Sequence, residues 1–363
     1  MANPHFNTLR VEQVRRETPD CVSITFALPD HLRDAYQFTQ GQHLTLRTHI
    51  NSEELRRSYS ICSSPHENTL TIAVKQIPKG KFSTYANQHL RTGDTIDVMT
   101  PMGSFFTPLH PEQHKRYVAF VAGSGITPVL SILKTTLQTE PHSHFTLFYG
   151  NKSFDHIIFR EQLLDLKNQY LQRLAIHHIL SRESVGIPLF KGHLSGEKCK
   201  RFANMLFNPA ATDEVFLCGP AAMIDDITLA LIDLGIDRRR IHTELFLAPD
   251  IAAKLPQTTP NPQEPQPESF ESRITIIMDG HTFDFDLDSE GESILNAAHE
   301  YGADVPYSCK GGVCCTCKAK VLEGKVKMDL NYSLEPEEVA AGYVLSCQSH
   351  PTSKRVVLTF DEN

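Results

Sequence analysis

Four cysteines in the last quarter of the chain constrain its folding more than any other feature. Cys309, Cys314 and Cys317 share one short loop, C-x4-C-x2-C, and 29 residues separate Cys317 from Cys347. This spacing suits a two-iron, two-sulfur cluster held by four thiolates. A loop around a compact anionic cluster must turn tightly and offer N–H groups to sulfur, and Gly311 and Gly312 lie inside it. Zinc is the alternative, although zinc sites usually pair two short knuckles, whereas here three cysteines form one loop and the fourth stands alone. Unligated thiols are a third reading. Cys315 is surplus to the spacing and reads as a non-ligand.

The same region carries the charge. The chain has 43 acidic and 35 basic side chains in 363 residues, a formal charge of −8. Glu271 to Asn363 holds 16 acidic and 8 basic residues, so the preceding 270 residues hold 27 of each. That balance argues against nucleic acid as a partner, which would require a basic patch. It suits a small module that docks through negative surface. A content of 40% apolar and 21% charged residues excludes a wholly disordered or fibrous chain. The opening MANPHFNTLR lacks the basic and apolar runs of a secretory signal. The longest uncharged stretch, between Arg116 and Lys134, is broken by Gly123, Ser124, Gly125 and Pro128 and is too short for a membrane span. A cytoplasmic protein without membrane association is expected, and its nine cysteines are then not structural disulfides.

One linker stands out. Pro249 to Ser272 carries six prolines among Gln, Thr and Glu, a composition that builds no core and favours an extended, semi-rigid tether. Such a tether would keep the C-terminal module at high effective concentration near the body while letting it turn toward a partner. Before residue 111, short alternating runs such as VSITFAL, HLTLRTHI and LTIAVKQI predict an antiparallel barrel or sandwich. After it, apolar runs YVAFVAG, HFTLFYGN, LAIHHIL and EVFLCGP alternate with helical stretches, the pattern of a parallel, doubly wound sheet. One of those helices, FREQLLDLKNQYL, spaces Phe159, Leu163, Leu164, Leu166, Tyr170 and Leu171 near a helical period. Beyond the linker, RITIIMD and HTFDFDL join at Asp279-Gly280, a strong hairpin signal.

Two further segments carry readable chemistry. Arg57-Ser58-Tyr59-Ser60 combines an arginine for a pyrophosphate, an aromatic to stack on a flat ring and a hydroxyl for a reactive edge. Val118 to Pro128 reads as a strand, a glycine turn and a helix start. Gly123 and Gly125 would let backbone approach a pyrophosphate at the helix N-terminus. The third fingerprint position is Pro128, where the usual dinucleotide motif has Gly or Ala.

In this order and company the segments resemble ferredoxin–NADP reductase-type proteins joined to a plant-type ferredoxin domain. The resemblance implies an antiparallel β-barrel FAD domain over 1–110 and an α/β parallel-sheet NAD(P) domain over 111–248. The linker over 249–272 and an α+β, β-grasp ferredoxin domain over 273–363 would follow. It implies that Tyr59 stacks on the isoalloxazine, Arg57 meets the FAD phosphates and Ser60 sits near the flavin N5. Gly80, Ser83 and Thr84, in GKFST, resemble a second phosphate-contacting segment. G-x-G-x-x-P, here Gly123, Gly125, Thr127 and Pro128, is the family's nicotinamide-nucleotide turn. Cys218-Gly219-Pro220-x-x-Met223 resembles its C-G-P-x-x-M turn, with Cys218 near the nicotinamide. Phe246, in E-x-F, resembles the aromatic that lies close to the flavin. Cys309, Cys314, Cys317 and Cys347 would hold the 2Fe–2S cluster. Ser181 and Arg182 end a strand where the adenosine ribose would be read. No acidic residue waits there for a 2′-hydroxyl, while Arg182 suits a 2′-phosphate, so NADPH is expected over NADH.

The resemblance covers nearly the whole chain and extends to the reductase components of multicomponent oxygenases. It is carried by GQHLTL, ELRRSYSIC, AGSGITP, TLQTEP, FTLFYGN, CGPAAM and CKGGVCCTCKAKVLEGKVKMDLNYSLEPEEVAAGYVLSCQ, and is strongest toward reductase components of phenylacetyl-CoA 1,2-epoxidase complexes. Lys152 departs from relatives that often place Arg there. The implied partner is a diiron oxygenase component, in phenylacetate catabolism, supplied with electrons from NADPH through FAD and the cluster. Another oxygenase or a hybrid-cluster protein as acceptor stays open. So does a zinc-stabilised regulatory or binding protein with a vestigial reductase body.

Overall fold

The computed structural model describes residues 5–183, 186–246 and 269–362. Residues 249–268 of the expected linker lie outside the described residues. The chain divides into two compact units. The larger runs from Phe6 to Phe246 apart from Arg56–Ser58 and contains two sheets, and the C-terminal module belongs to the other.

The first sheet has six strands: β1 (Phe6–Thr18), β2 (Cys21–Ala27), β3 (His43–Ile50), β4 (Glu53–Ser60), β5 (Leu70–Lys75) and β6 (Thr95–Met99), in the order β4-β3-β6-β1-β2-β5. It curls into a half-barrel, and an isolated antiparallel bridge between Ile61 and Ile72 ties the residue after β4 to β5. Leu9, Val11, Ile24, Leu44, Ile72 and Val98 fill its interior, each fully buried, as alternation along half-buried strands requires. Helix α1 (Lys81–Gln88) follows β5 and buries Phe82 and Ala86.

The second sheet is parallel: β7 (Arg116–Ala122), β8 (His144–Asn151), β9 (Leu174–Leu180), β10 (Glu214–Gly219) and β11 (Ile241–Leu245), ordered β11-β10-β7-β8-β9. The crossovers are α2 (Ile126–Thr139), α3 (Arg160–Gln169), α4 (Gly196–Phe202) and α5 (Ala221–Asp233). The chain winds from β7 outward to β9, then returns to place β10 on the other side of β7. The strand order therefore reverses between β7 and β10, and a crevice opens at their carboxyl ends. α3 departs from the expected apolar stripe. Leu163 is buried, but Leu164 is 55% exposed, because a ten-residue helix turns only one narrow face to the sheet, and Leu171, 65% exposed, lies past the end of the helix.

The C-terminal module contains β12 (Glu271–Met278), β13 (His281–Asp288), α6 (Ile294–Glu300), β14 (Lys318–Glu323), β15 (Val326–Met328), α7 (Pro336–Ala340), β16 (Tyr343–Leu345), β17 (Ser349–Pro351) and β18 (Arg355–Thr359). Five strands form one mixed sheet, β13-β12-β18-β14-β16, with β12 and β18 parallel, and β15 pairs with β17. Asp279 and Gly280 both take positive φ, 54° and 71°, as the expected two-residue hairpin demands. Ser293 caps α6 by accepting from Asn296 N, and Leu295 and Ala298 pack beneath the sheet with Ile274, Ile276 and Leu358. Among the described residues no helix is long and apolar enough to cross a membrane.

Aromatic stacking holds the parallel sheet to α4. Phe148 lies 4.6 Å from Phe202 and 4.7 Å from Phe120, centroid to centroid, with the rings nearly parallel. Phe148→Ala should lower the unfolding free energy by about 3–5 kcal/mol, as large core truncations do. Urea unfolding checks this, and a loss below ~1 kcal/mol would mean the stack does not hold α4.

Candidate active site

The strand that carries the first motif ends where the half-barrel meets the parallel sheet. Tyr59 and Ser60 close β4. Tyr59 is half-buried, and its ring centroid lies 5.4 Å from that of Phe82, inside the Gly80–Thr84 segment. The two stretches matched from sequence are thus brought side by side. Arg57, earlier on β4, is half-buried and donates from Nη1 to Arg56 O at 2.7 Å. Gly80 opens α1. A side chain there would collide with Ser83 Oγ at 2.4 Å and Ile77 Cγ1 at 2.5 Å. The Ser83 hydroxyl is buried and engaged within the turn, accepting from Ile77 N at 3.2 Å and donating to Gly80 O at 3.3 Å. It holds the shape of the segment, and the N–H groups of the first turn of α1 are the donors suited to an anion. Thr84 Oγ1 accepts from Gln76 Nε2 at 3.4 Å.

At the crevice, two turns interlock. Gly123–Gly125 forms a tight turn between β7 and α2, with Gly123 at φ +55°. A Cβ on Gly125 would lie 2.4 Å from Cys218 O and 3.1 Å from Cys218 Sγ, so only glycine allows the turn to meet the end of β10. Thr127 is buried and donates to Ser124 O at 3.0 Å, closing the first turn of α2, where Pro128 is tolerated because an orphan N–H is not needed. Gly219 faces Met223 and Ala122, at 2.6 Å and 3.2 Å from the position of a Cβ. Pro220 caps α5. Phe246, just past β11, donates its N–H to Gly219 O at 3.3 Å.

The carboxylate of the E-x-F segment, to which the sequence assigned no role, sits among these groups. Glu244 on β11 accepts from Ser60 Oγ at 3.2 Å, and Cys218 Sγ lies 3.9 Å from the same oxygen. Burial pushes the Glu244 carboxyl up to about 8, against a weaker downward pull from Ser60 and Cys218. Burial, with Glu244 beside it, also raises the Cys218 thiol well above its ordinary value. Ser60, Cys218 and Glu244 come from three distant elements, and together they can hold and pass one proton at neutral pH.

Ser181 and Arg182 stand apart from this cluster, at the carboxyl end of β9. Their N–H groups bond Asn151 O and Lys152 O, each at 2.9 Å, which sets Arg182 next to Lys152. Both cationic side chains are exposed.

In the C-terminal module the four thiols gather in one place: Cys309 shares a hydrogen bond with Cys314 and Cys317 with Cys347, and Cys309 also feels Cys347 as Cys317 feels Cys314. Each pairing, together with burial, raises the thiols of Cys309 and Cys317, while the bond from Cys317 draws Cys347 down. Among the described residues no three His, Cys, Asp or Glu side chains gather as a single-ion site. Two pairs of thiols suit two irons, so the donor set fits a 2Fe–2S cluster. Gly311 N reaches Cys309 Sγ at 3.3 Å, and Gly312, at φ +72°, has room for no side chain, since a Cβ would sit 2.8 Å from Leu330 O. Cys315 turns the other way, its thiol 3.5 Å from Ser333 O.

Known proteins share this arrangement. Residues 8–106 match the oxidoreductase FAD-binding domain, 120–228 the oxidoreductase NAD-binding domain and 276–352 the 2Fe-2S iron-sulfur cluster binding domain. The chain is 48% identical to one of the subunits of 1,2-phenylacetyl-CoA epoxidase of Escherichia coli (strain K12), over 98% of each chain. It is 35% identical to the ferredoxin reductase component of 3-ketosteroid-9-alpha-monooxygenase of Rhodococcus rhodochrous, over 97% of this chain and 96% of that one. Phthalate dioxygenase reductase shares its fold over 98% of each chain, at a TM-score of 0.56 and 22% identity.

Two outcomes test this geometry. Gly125→Ala should leave flavin bound but slow its reduction by NAD(P)H at least ~100-fold, because the added methyl pushes the Gly123–Gly125 turn off Cys218; stopped-flow reduction of the variant measures it. Glu244 holds its proton more tightly when folded than at its ordinary value of 4.5, so its contribution to stability is full below that value and is lost as pH rises through about 8. Glu244→Gln, which stays neutral, should therefore lose less thermal stability than the native protein between pH 6.5 and 8.5. Parallel melting-temperature curves for the two would refute the shift.

Proposed function

The chain belongs to the oxygenase reductases built from FAD-binding, NAD-binding and 2Fe–2S domains, which carry electrons from NAD(P)H to an oxygenase, and from that premise we propose that its acceptor is a diiron oxygenase that epoxidises phenylacetyl-CoA. The observation that carries the reading is the 48% identity to the Escherichia coli epoxidase component over 98% of both chains. Flavin and cluster, when bound, supply the change from paired to single electrons that no side chain can perform.

The chain's own residues do the positioning. Tyr59 offers an aromatic face to the flavin, with Phe82 fixing its ring. Arg57 and the first turn of α1 meet the FAD phosphates, and Ser83 and Thr84 keep that turn in shape. The Gly123–Pro128 turn receives the nucleotide pyrophosphate, and Gly219, Pro220 and Met223 wall the nicotinamide side beside Cys218. Ser60 and Glu244 hold a proton at the reacting edge, and Phe246, just past β11, covers it. Cys309, Cys314, Cys317 and Cys347 would hold the 2Fe–2S cluster, while Cys315, its thiol turned to Ser333 O, would not. Ser181 and Arg182, beside Lys152, read the ribose phosphate and favour NADPH over NADH. This reading divides the chain at 1–110, 111–248, 249–272 and 273–363. It also places the protein in the cytoplasm, consistent with nine cysteines that form no disulfide.

NADPH-driven turnover with the phenylacetyl-CoA epoxidase oxygenase component, set beside 3-ketosteroid and glycine betaine oxygenase components, tests the acceptor. Product with the first alone supports the reading, and equal turnover with the others overturns it. Arg182→Ala should raise KM for NADPH about 10- to 100-fold, the weight of one charge-assisted phosphate contact, and leave KM for NADH unchanged. Steady-state kinetics with both nucleotides decide this, and equal losses would remove Arg182 from the phosphate site.

A further inference from the structure

Lys134 lies in the middle of α2 with its side chain only 7% exposed, and no part of the site described above uses it. A buried ammonium is costly unless it is paired and fully hydrogen-bonded. Here it is. Nζ lies 2.9 Å from Glu67 Oε1 and donates to Cys62 O at 3.3 Å. Three more polar side chains share its face of the helix, at the spacing that aligns positions three and four apart. Ser131 Oγ donates to Ser63 O at 2.6 Å. Thr135 Oγ1 donates to Ser131 O at 2.6 Å and therefore receives the Ser64 hydroxyl at 3.0 Å. Thr139 Oγ1 meets His66 Nε2 at 3.0 Å.

All four grip one short segment, Cys62 to Glu67, which begins two residues after Ser60. That segment is itself locked. Ser64 N donates to Glu67 Oε2 at 3.0 Å while Ser64 Oγ accepts from His66 N, so the carboxylate that caps the turn is also the one that Lys134 holds. The other end of α2 is the Gly123–Gly125 turn against Cys218. One helix of 14 residues, about 20 Å long, thus joins the nucleotide turn at its head to the flavin strand along its flank. Apolar packing alone would let the two sheets slide, whereas directional bonds from four side chains to one six-residue segment admit one register.

We infer that Lys134 is a positioning residue for hydride transfer: through Glu67 and the Cys62–Glu67 turn it sets the flavin-bearing end of β4 in register with the nicotinamide turn at the head of α2. It touches neither cofactor. Its effect is on the distance and angle between them, to which transfer rates are steeply sensitive. The inference rests on the shown use of FAD and NAD(P)H and is independent of which oxygenase accepts the electrons.

Lys134→Met in the full-length protein, close in length and uncharged, is the test. Bound flavin should be retained. Amide hydrogen exchange without nucleotide should rise about tenfold or more at residues 61–67 and stay unchanged at 126–139. Anaerobic reduction of the flavin by NADPH should slow about tenfold or more, with weaker long-wavelength absorbance from nicotinamide stacked on flavin. Lys134→Arg should restore most of the rate. Glu67→Gln keeps the cap but weakens the pairing, so it should shift the same readouts less, and it decides the matter if Lys134→Met fails to accumulate with flavin. Native reduction rates in either variant overturn the inference. So does exchange that rises equally across both sheets, or an arginine variant no better than methionine.

Discussion

The approach of the Gly123–Gly125 turn to the end of β10 is the contact on which the site in the larger unit depends. Backbone meets backbone there with no space for a methyl group, because a Cβ on Gly125 would sit 2.4 Å from Cys218 O. That closeness fixes where α2 begins, and therefore where its N-terminal N–H groups point. It also fixes the place of Cys218 and, through the pairing of β10 with β11, of Glu244. The polar face of α2 then carries the same registration to the segment after Ser60.

Electrostatics are handled in opposite ways in the two units. In the larger one, ionisable groups at the crevice are kept few and buried, so that one carboxyl titrates near neutrality beside a hydroxyl and a thiol. In the C-terminal module, four thiols are gathered in pairs and supported by backbone N–H groups, an arrangement that favours a charged metal cluster over free thiols. Around it lies the acidic surplus that accounts for the whole formal charge of −8. A neutral body with a charged carrier is the distribution that suits a protein whose small module must meet a partner.

Much of the site was legible because its chemistry is local. The cysteine loop, the glycine turn and R-S-Y-S each need particular residue types within a few positions, so spacing reveals them. The role of Glu244 was not legible: E-L-F was matched for its aromatic, and the properties of the glutamate come from burial between Ser60 and Cys218. Ser83 has a part that residue type alone does not show, since its hydroxyl ties Ile77 N to Gly80 O and so holds the turn in shape. Ser131, Lys134 and Thr135 would ordinarily mark the solvent face of a helix, yet all are buried.

The sequence by itself determined the order of modules, the fold class of each, the cofactors they take and the four cysteines whose spacing suits the cluster. These follow from residue type and short-range spacing, which survive any arrangement of the modules. The tertiary structure alone decided which carboxyl gains a raised pKa and how a helix of one sheet meets the strand of another. Those outcomes depend on desolvation and on hydrogen bonds between residues tens to hundreds of positions apart, and nothing along the chain announces such a meeting before it folds.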